Sequence, residues 1–268
     1  MTNTATSFSG MIPDSYDQGL GPMLFGPYAR DMASRVRVAS GAAVLEVAAG
    51  TGIATQELLR ALPPDARLTV SDINEAMLAL ARTRVADDDR VNCRTADAMA
   101  LPFDDGEFDL VVNQFGLMFP ADKVAVLREA QRVLKPSGAM LFNVWASLAD
   151  NPIARIAHET IGSFFPQDPP RFYEIPWGLY DRGLIENMLQ RAGFKRVRCD
   201  IVDVIGEHES AAAAANGLVF GSPVLTGIQE RHGDTTAISR AVAERLAREG
   251  GDRPMRLPMR ALVFEARS

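Results

Sequence analysis

Ala43-Val44-Leu45-Glu46-Val47-Ala48-Ala49-Gly50-Thr51-Gly52 is the stretch whose reading decides the fold. Val44 to Val47 reads as a short buried strand that stops in a glycine turn, and a helix is predicted immediately afterwards, from about Ile53 to Ala61. Glu46 falls near the strand's carboxyl end, where an open parallel sheet binds ligands in the crevice at the switch in strand order. Gly50 and Gly52 carry no Cβ, so the backbone can turn tightly and a ligand can lie directly against it.

Two nucleotide-binding readings compete for this turn. The dinucleotide fingerprint G-x-G-x-x-G takes Gly50, Gly52 and a third glycine where the chain has Thr55; that third position normally permits close helix–strand packing. The other reading is a resemblance. The turn is similar to the first motif of the class I S-adenosylmethionine-dependent methyltransferases, acid-x-Gly-x-Gly-x-Gly, with Ala48 in place of the first glycine. A single glycine turn leaves both readings open.

Composition narrows the field. The 268 residues, 47% hydrophobic but only 7% aromatic, suit one large α/β domain with an aliphatic core, or one domain with an inserted cap. No apolar run reaches the roughly 18 residues that span a bilayer. The start, Met1-Thr2-Asn3-Thr4-Ala5-Thr6-Ser7, lacks the basic and then apolar segments of a secretion signal. Cys93 and Cys199 form neither a disulfide framework nor a metal-ligand set and read as inert buried thiols on strands. A soluble cytoplasmic protein without a metal is expected, as a monomer or homodimer. The net charge of −6 disfavours nonspecific nucleic-acid binding, and the short basic cluster Arg191, Lys195, Arg196 and Arg198 reads as a solvated face.

Along the chain, residues 1–10 are polar and read as mobile. Phe8 to Tyr28 mixes large apolar groups with Gly and Pro, which suits either a lid over a ligand or an arm packed on the core; it is not expected to form a clean helix. Tyr16 and Tyr28 are candidates to close over a bound cofactor. A helix follows from about Ala29 to Ala39. Beyond the glycine turn, Arg67 to Asp72 is a second strand ending on an acid twenty residues after Gly52, placed to accept both ribose hydroxyls of an adenosine. Asp72 or Asn74 is alternatively the N-cap of the helix near Glu75. Ile73 and Met77 then sit beside the adenine, with core packing as the competing role. Val91–Thr95 and Phe108–Val112 are the third and fourth strands, a helix covers about Ala121 to Leu134, and Ala139–Trp145 is the fifth strand. Strands alternating with helices of ten or more residues specify a parallel sheet.

The order of pieces resembles the methyltransferase family that includes the ubiquinone and menaquinone C-methyltransferases. Those pieces are the glycine turn, Asp72, Ala96-Asp97-Ala98, Leu101-Pro102-Phe103, Phe108-Asp109 and Leu134-Lys135-Pro136-Ser137-Gly138, spread over residues 40–146. The resemblance implies a Rossmann-like α/β fold: a seven-stranded, mostly parallel sheet with an antiparallel last strand, helices on both faces and helical cap insertions. It implies S-adenosylmethionine as cofactor and S-adenosylhomocysteine as product, held by Glu46, Ala48, Gly50, Thr51, Gly52 and Asp72. It also implies that Asp97 bonds the adenine amino group, that the Ala98 backbone contacts the ring, and that Gln114 faces the methionine part and the transfer site.

Past Trp145, a helix is predicted from Asn151 to about Phe164, then a proline-rich stretch carrying Phe172, Tyr173, Trp177 and Tyr180. That aromatic density marks an acceptor pocket or its cover; Phe119, Phe172, Tyr173 and Trp177 are the candidate acceptor contacts. Asp181 caps a helix to about Ala192, and strand six covers Arg196–Val204. Helices follow over Glu209–Phe220 and Asp234–Glu249, with Ile238, Val242 and Leu246 on one face of the latter, and the last strand is Met259–Ala266. The organisation expected is a lid arm and helix (1–39), a cofactor-binding core (40–146), a cap insertion (147–180), a core helix and strand (181–206), a second cap insertion (207–250) and the final core strand (251–268). Methyl transfer from a sulfonium needs alignment and exclusion of water, and a base only if the acceptor keeps its proton. His158, His208 and His232 all read as structural or surface groups, so no catalytic base is assigned. The reading is a methyltransferase acting on a small, partly apolar or aromatic metabolite at O, N or C. The alternatives are a non-catalytic cofactor-binding protein and a dinucleotide-dependent oxidoreductase.

Overall fold

A computed structural model describes residues 12–268. The mobile start expected over residues 1–10 and the first part of the lid, Phe8–Met11, lie outside them. The elements run α1 (Ile12–Gly19), a π-helical turn (Gly21–Phe25), α2 (Gly26–Ser34), β1 (Ala43–Val47), α3 (Ile53–Ala61), β2 (Arg67–Asp72), α4 (Glu75–Arg84), β3 (Val91–Thr95), β4 (Phe108–Gln114), α5 (Lys123–Val133) and β5 (Leu134–Trp145). They continue α6 (Pro152–Ser163), α7 (Arg182–Ala192), β6 (Arg196–His208), α8 (Ala211–Phe220), α9 (Val224–Glu230), α10 (Thr235–Gly250) and β7 (Met255–Arg267).

The seven strands form one sheet in the order β3-β2-β1-β4-β5-β7-β6. β1 to β5 pair in parallel and β7 runs antiparallel to β5, as the resemblance implies. The chain builds outward from β1 through β2 to β3, then returns to place β4 on the other side of β1. The strand order therefore switches between β1 and β4, and the glycine turn lies at their carboxyl ends.

The chain divides into two compact units. One comprises Tyr28–Trp145, Leu179–Val202 and Ala261–Ser268. Its core includes Met32, Val44, Leu58, Leu68, Val70, Leu78, Ala81, Leu110, Val112, Leu141 and Val263, drawn from helices and from one face of the sheet. The aliphatic composition is expressed here: each fully buried Val or Leu side chain contributes roughly 1.5–3 kcal/mol of transfer free energy.

The other unit contains the described residues up to Pro27, Ala146–Gly178 and Asp203–Arg260. Its centre is α8, packed by α1 and α10. Gly19 and Gly217 permit the α1–α8 approach: a Cβ on Gly19 would fall 2.5 Å from Gly217 Cα. Ile238, Val242 and Leu246 line the buried face of α10, as their spacing predicts. Arg155 pairs with Glu249, and Arg245 with Glu159, between α6 and α10. Among the described residues no single helix is long and apolar enough to cross a membrane; the apolar pair α8 and α9 is bent by 73°.

Several boundaries differ from the sequence expectation. The described part of the segment before Ala29 is helical throughout, and α2 starts at Gly26 because Pro27 fits the first turn of a helix, where its missing N–H is not needed. α2 also ends at Ser34, short of Ala39. The stretch expected only to terminate a helix, Leu134–Gly138, enters β5 directly after Val133. α9 was not anticipated, and β6 and β7 extend beyond their predicted ends to His208 and from Met255.

Candidate functional site

At the carboxyl end of β2, Asp72 is tied into the glycine turn. Its Oδ2 accepts from Gly50 N at 2.8 Å and its Oδ1 from Asn74 N at 2.7 Å. Asn74, not Asp72, caps α4, accepting from the amides of Ala76 and Met77. Ala49 N donates to Ser71 O at 3.0 Å, which stitches the turn to β2. Gly52 opens α3 at φ 83°, and a Cβ there would lie 3.0 Å from Ala81 Cα and Cβ, so glycine is demanded by both conformation and packing. Thr51 is buried, with its carbonyl held by Arg84 Nη1 at 2.9 Å. At Gly50 the surroundings are looser: a Cβ would make ordinary contact with Met77 Cε at 3.7 Å.

Glu46 is 1% exposed on β1. Its Oε2 accepts from Thr55 Oγ1 at 2.6 Å, while Oε1 is buried with no partner among the described residues. Burial pushes its pKa up to about 8; the Thr55 hydrogen bond opposes that shift and the Asp72 charge adds to it. Burial likewise raises Asp72, against the pull of its backbone amide bonds. Two carboxyl groups held out of water beside a turn of positive-φ residues favour a ligand that brings positive charge and hydroxyl donors.

The tip of β4 closes the other side. Asn113, fully buried, donates from Nδ2 to Val47 O at 2.9 Å and accepts at Oδ1 from Gly116 N and Leu117 N. It thereby fastens the β4 tip to the end of β1. Ala48 and Phe115 both have left-handed backbones, φ 57° and 54°. A Cβ on Gly116 would fall 2.5 Å from Ala48 Cβ, so the methyl that replaces the first motif glycine fits because residue 116 has no side chain. Phe115 N donates to Asn143 Oδ1 at 2.9 Å, and its ring stacks on Trp145 with centroids 3.9 Å apart.

Glu46, Ala48, Gly50, Thr51, Gly52, Asp72 and Met77 thus converge around one turn. Ile73 projects from the β2 tip, 59% exposed. Asp97 follows β3, its Oδ1 accepting from Met99 N at 2.8 Å, with Ala98 half-buried beside it. Gln114 ends β4 opposite Asn143, and Phe119 is half-buried in the loop beyond. Tyr28 is wholly buried in the same unit: it donates to Val202 O at 3.3 Å and meets Phe115 and Trp145 edge-on. Tyr16, Phe172, Tyr173 and Trp177 belong to the other unit. There Tyr16 stacks on Phe25 at 4.9 Å, and Tyr173 donates to Leu218 O at 3.0 Å with Trp177 5.6 Å away. His158, His208 and His232 also lie in that unit. Cys93 and Cys199 are half-buried rather than buried, and desolvation raises both thiols, Cys199 to about 11. Among the described residues no group of three or more His, Cys, Asp or Glu is placed to hold a metal ion.

Sequence reasoning met Thr55 only as the residue in place of a third glycine, and passed over Asn113 and Asn143. The signal was present: a carboxamide inside Leu110-Val111-Val112-Asn113 and inside Leu141-Phe142-Asn143-Val144 interrupts runs that are otherwise apolar, and a buried amide needs partners.

Residues 44–138 match the family model for a methyltransferase domain. Together with the sheet order and the acid-bearing turn, the relatives show that the chain belongs to the class I S-adenosylmethionine-dependent methyltransferases. The ubiquinone/menaquinone biosynthesis C-methyltransferase UbiE of Hahella chejuensis is 34% identical over 170 residues, covering 58% of this chain and 68% of that protein. Among solved structures, phosphoethanolamine N-methyltransferase 2 of Haemonchus contortus, in complex with S-adenosyl-L-methionine, superposes with a TM-score of 0.62 at 15% identity, covering all of this chain and 60% of that one. The [4+2]-cyclase SpnF gives 0.59 at 21%, covering 91% and 81%. The two structures share the fold.

The cofactor of this methyltransferase is S-adenosylmethionine, and the residues present fit it. The orphaned Glu46 Oε1 offers an acceptor for a cationic group, and the side-chain-free backbone at Gly50 leaves room for a ligand.

Proposed function

We propose that the enzyme methylates a small aromatic or partly apolar metabolite at O, N or C, and that a hydroxyaromatic acceptor of the quinol kind fits best. The observation that carries this reading is the joining of an acid-bearing donor turn to an aromatic wall. The β4 tip that Asn113 fastens to β1 continues into Phe115, stacked on Trp145 and flanked by Tyr28. The C-methyltransferase relatives support the same acceptor class.

When bound, S-adenosylmethionine supplies an electrophilic methyl carbon, which an acceptor lone pair takes as the S–C bond breaks and its electron pair stays on sulfur. In this reading Asp72 accepts the ribose hydroxyls and Glu46 receives the ammonium of the methionine part. Asp97 and the Ala98 backbone hold the adenine between Ile73 and Met77, while Gln114 borders the transfer site. Tyr28 and Phe119 supply apolar contact around it. No histidine lies in this unit, so an acceptor that has already lost its proton to solvent suits the site.

Calorimetric titration with S-adenosylmethionine, S-adenosylhomocysteine and NAD, beside an Asp72→Ala variant, tests the donor site. Micromolar binding of the two sulfur nucleotides, lost in the variant and absent for NAD, is expected. Binding of NAD, or of none of them, removes the reading. A panel of hydroxyaromatic, amine and carbon-acid acceptors with labelled methyl donor then tests the acceptor class, which fails if only non-aromatic acceptors are labelled.

A further inference from the structure

We infer that Asn143 is a specificity-determining residue on the acceptor side, its side-chain NH2 donating a hydrogen bond to the oxyanion of a hydroxyaromatic acceptor. This rests on the methyltransferase reading above and adds the residue that selects the acceptor's ionised form.

Register places Asn143 relative to the donor turn. Glu46 pairs with Val112, Val112 with Leu141, and Gln114 with Asn143. Residues two apart on a strand share a face, so Gln114 and Asn143 stand on the same face of the sheet as Glu46, one step nearer the carboxyl ends. Val70, the partner of Glu46 on β2, puts Asp72 in that same row. The row reads Asp72, Ala48, Gln114, Asn143: the ribose acid is on one side of the switch and the asparagine is on the other.

Asn143 is fully buried, yet only half of its amide is used. Oδ1 accepts from Phe115 N at 2.9 Å, and Nδ2 is buried without a partner among the described residues. Native interiors leave few buried donors unpaired, and each one requires an explanation. Holding Phe115 in its left-handed bend uses the carbonyl alone and leaves the NH2 unaccounted for. Trp145, two residues on and on the same face, stacks on Phe115 at 3.9 Å and 9°, and Tyr28 is edge-on to both rings. A neutral donor set in aromatic surroundings matches a flat ring bearing one oxygen. An NH2 donor stabilises that oxygen more as O⁻ than as OH, because hydrogen bonds to ionised acceptors are the stronger kind. The acceptor O–H proton goes to solvent before transfer. The phenolate's electron pair then forms the new bond to the methyl, either at oxygen or at the adjacent ring carbon, whose proton goes to solvent as the ring regains aromaticity. Neither loss needs a protein base.

The test uses the S-adenosylhomocysteine-loaded protein and 4-nitrophenol, whose ionisation is read by absorbance. We expect the bound probe to ionise at lower pH in the unaltered protein than in Asn143→Leu or Asn143→Asp, by about one unit, a tenfold change in preference for the phenolate. Asn143→Asp keeps an oxygen for Phe115 N and exchanges the NH2 for a second carboxylate oxygen, which cannot donate when ionised. It carries the comparison if the leucine variant fails to fold. S-Adenosylhomocysteine affinity should stay within about threefold in the folded variants. Equal ionisation of the bound probe in variant and parent overturns the inference, as does failure of 4-nitrophenol to bind the loaded parent. A tenfold or greater loss of S-adenosylhomocysteine affinity in both variants also overturns it, since Asn143 would then serve the donor. If the parent binds no S-adenosylhomocysteine at all, the methyltransferase donor site itself is at fault.

Discussion

Thr55 donates its hydroxyl to Glu46 Oε2 at 2.6 Å, from the first turn of α3 back to the strand that precedes it. The threonine stands where a dinucleotide fingerprint has its third glycine. Here the position carries a side chain because the acid on β1 needs one of its oxygens held. The bond fixes Oε2 and leaves Oε1 as the half of the carboxyl group available to a ligand.

With Glu46 in the proposed role of receiving the cofactor's ammonium, cofactor binding should depend on pH. Glu46 ionises in the folded protein at about 8, against 4.5 for an ordinary glutamate, because burial disfavours its charge. The folded state therefore keeps a proton that the unfolded chain has released, and stability attributable to this group falls as pH rises from 4.5 to about 8 and is level beyond. Glu46→Gln should leave the free energy of unfolding in urea unchanged near pH 4 and raise it at pH 8, by on the order of a few kcal/mol at most. A cationic ligand prefers the ionised acid, so S-adenosylmethionine should bind more tightly as pH approaches 8 and release a proton at pH 7. Calorimetry in buffers of different ionisation enthalpy reads that proton; its absence contradicts the assignment.

On the ribose role proposed for Asp72, Asp72→Ala removes the acceptor for two hydroxyls. Hydrogen bonds to a charged group contribute roughly 1.5–3 kcal/mol each, so affinity for S-adenosylmethionine should fall about a hundredfold or more. Asp72→Asn should fall less, since it can still accept from Gly50 N. Equal affinity in parent and Asp72→Ala would exclude the ribose role.

Two substitutions on the same turn should have opposite signs. Ala48 holds φ 57°, a conformation that costs an L-residue roughly 1–2 kcal/mol, so Ala48→Gly should stabilise the protein by up to about 1 kcal/mol after the extra chain entropy of glycine is subtracted. Gly52→Ala adds a methyl at φ 83° within 3.0 Å of Ala81 Cα, and should destabilise by roughly 2 kcal/mol or more. Urea unfolding of the two variants measures both. Destabilisation by Ala48→Gly would show that its methyl packing outweighs the backbone strain.

Arg132 organises the loop that follows Ala96-Asp97-Ala98. Its guanidinium donates to Leu101 O at 2.9 Å and Phe103 O at 2.8 Å while pairing with Glu129 and Asp105. A lysine cannot reproduce that fork, so Arg132→Lys should cost about 1–2 kcal/mol, the value of two backbone hydrogen bonds at a partly solvated site. Chemical denaturation at low and high salt checks it. A loss that disappears in salt would mean that only the ion pairs mattered.

Much of this was already written in the chain. Strand-length apolar runs alternating with capped helices, the Gly50–Gly52 turn and an acid at the end of the second strand are local patterns, and local patterns survive translation into sequence. They specified the parallel sheet and carried the family resemblance, which in turn implied the antiparallel last strand. Asp122 and Asp181 cap α5 and α7 through bonds spanning three residues. What the sequence could not express was pairing across distance. Nothing near Asn113 indicates that its amide meets Val47, nor does anything near Gly116 indicate that it makes room for the methyl of Ala48. Tyr28 and Tyr173 have the same amphipathic side chain in an aromatic, loop-rich context. Only packing reveals that each hydroxyl is bonded to a main-chain carbonyl, of Val202 and of Leu218. The sequence by itself determined the alternation of strands and helices, the glycine turn and its two acids, because those depend on backbone conformation and hydrophobic periodicity within a few residues. Tertiary structure decided how Glu46 is charged, which half of Asn143 is spent, and which aromatic rings are walls, because burial and hydrogen-bond partners come from other elements of the fold, as Thr55 on α3 does for Glu46 and Phe115 beyond β4 does for Asn143.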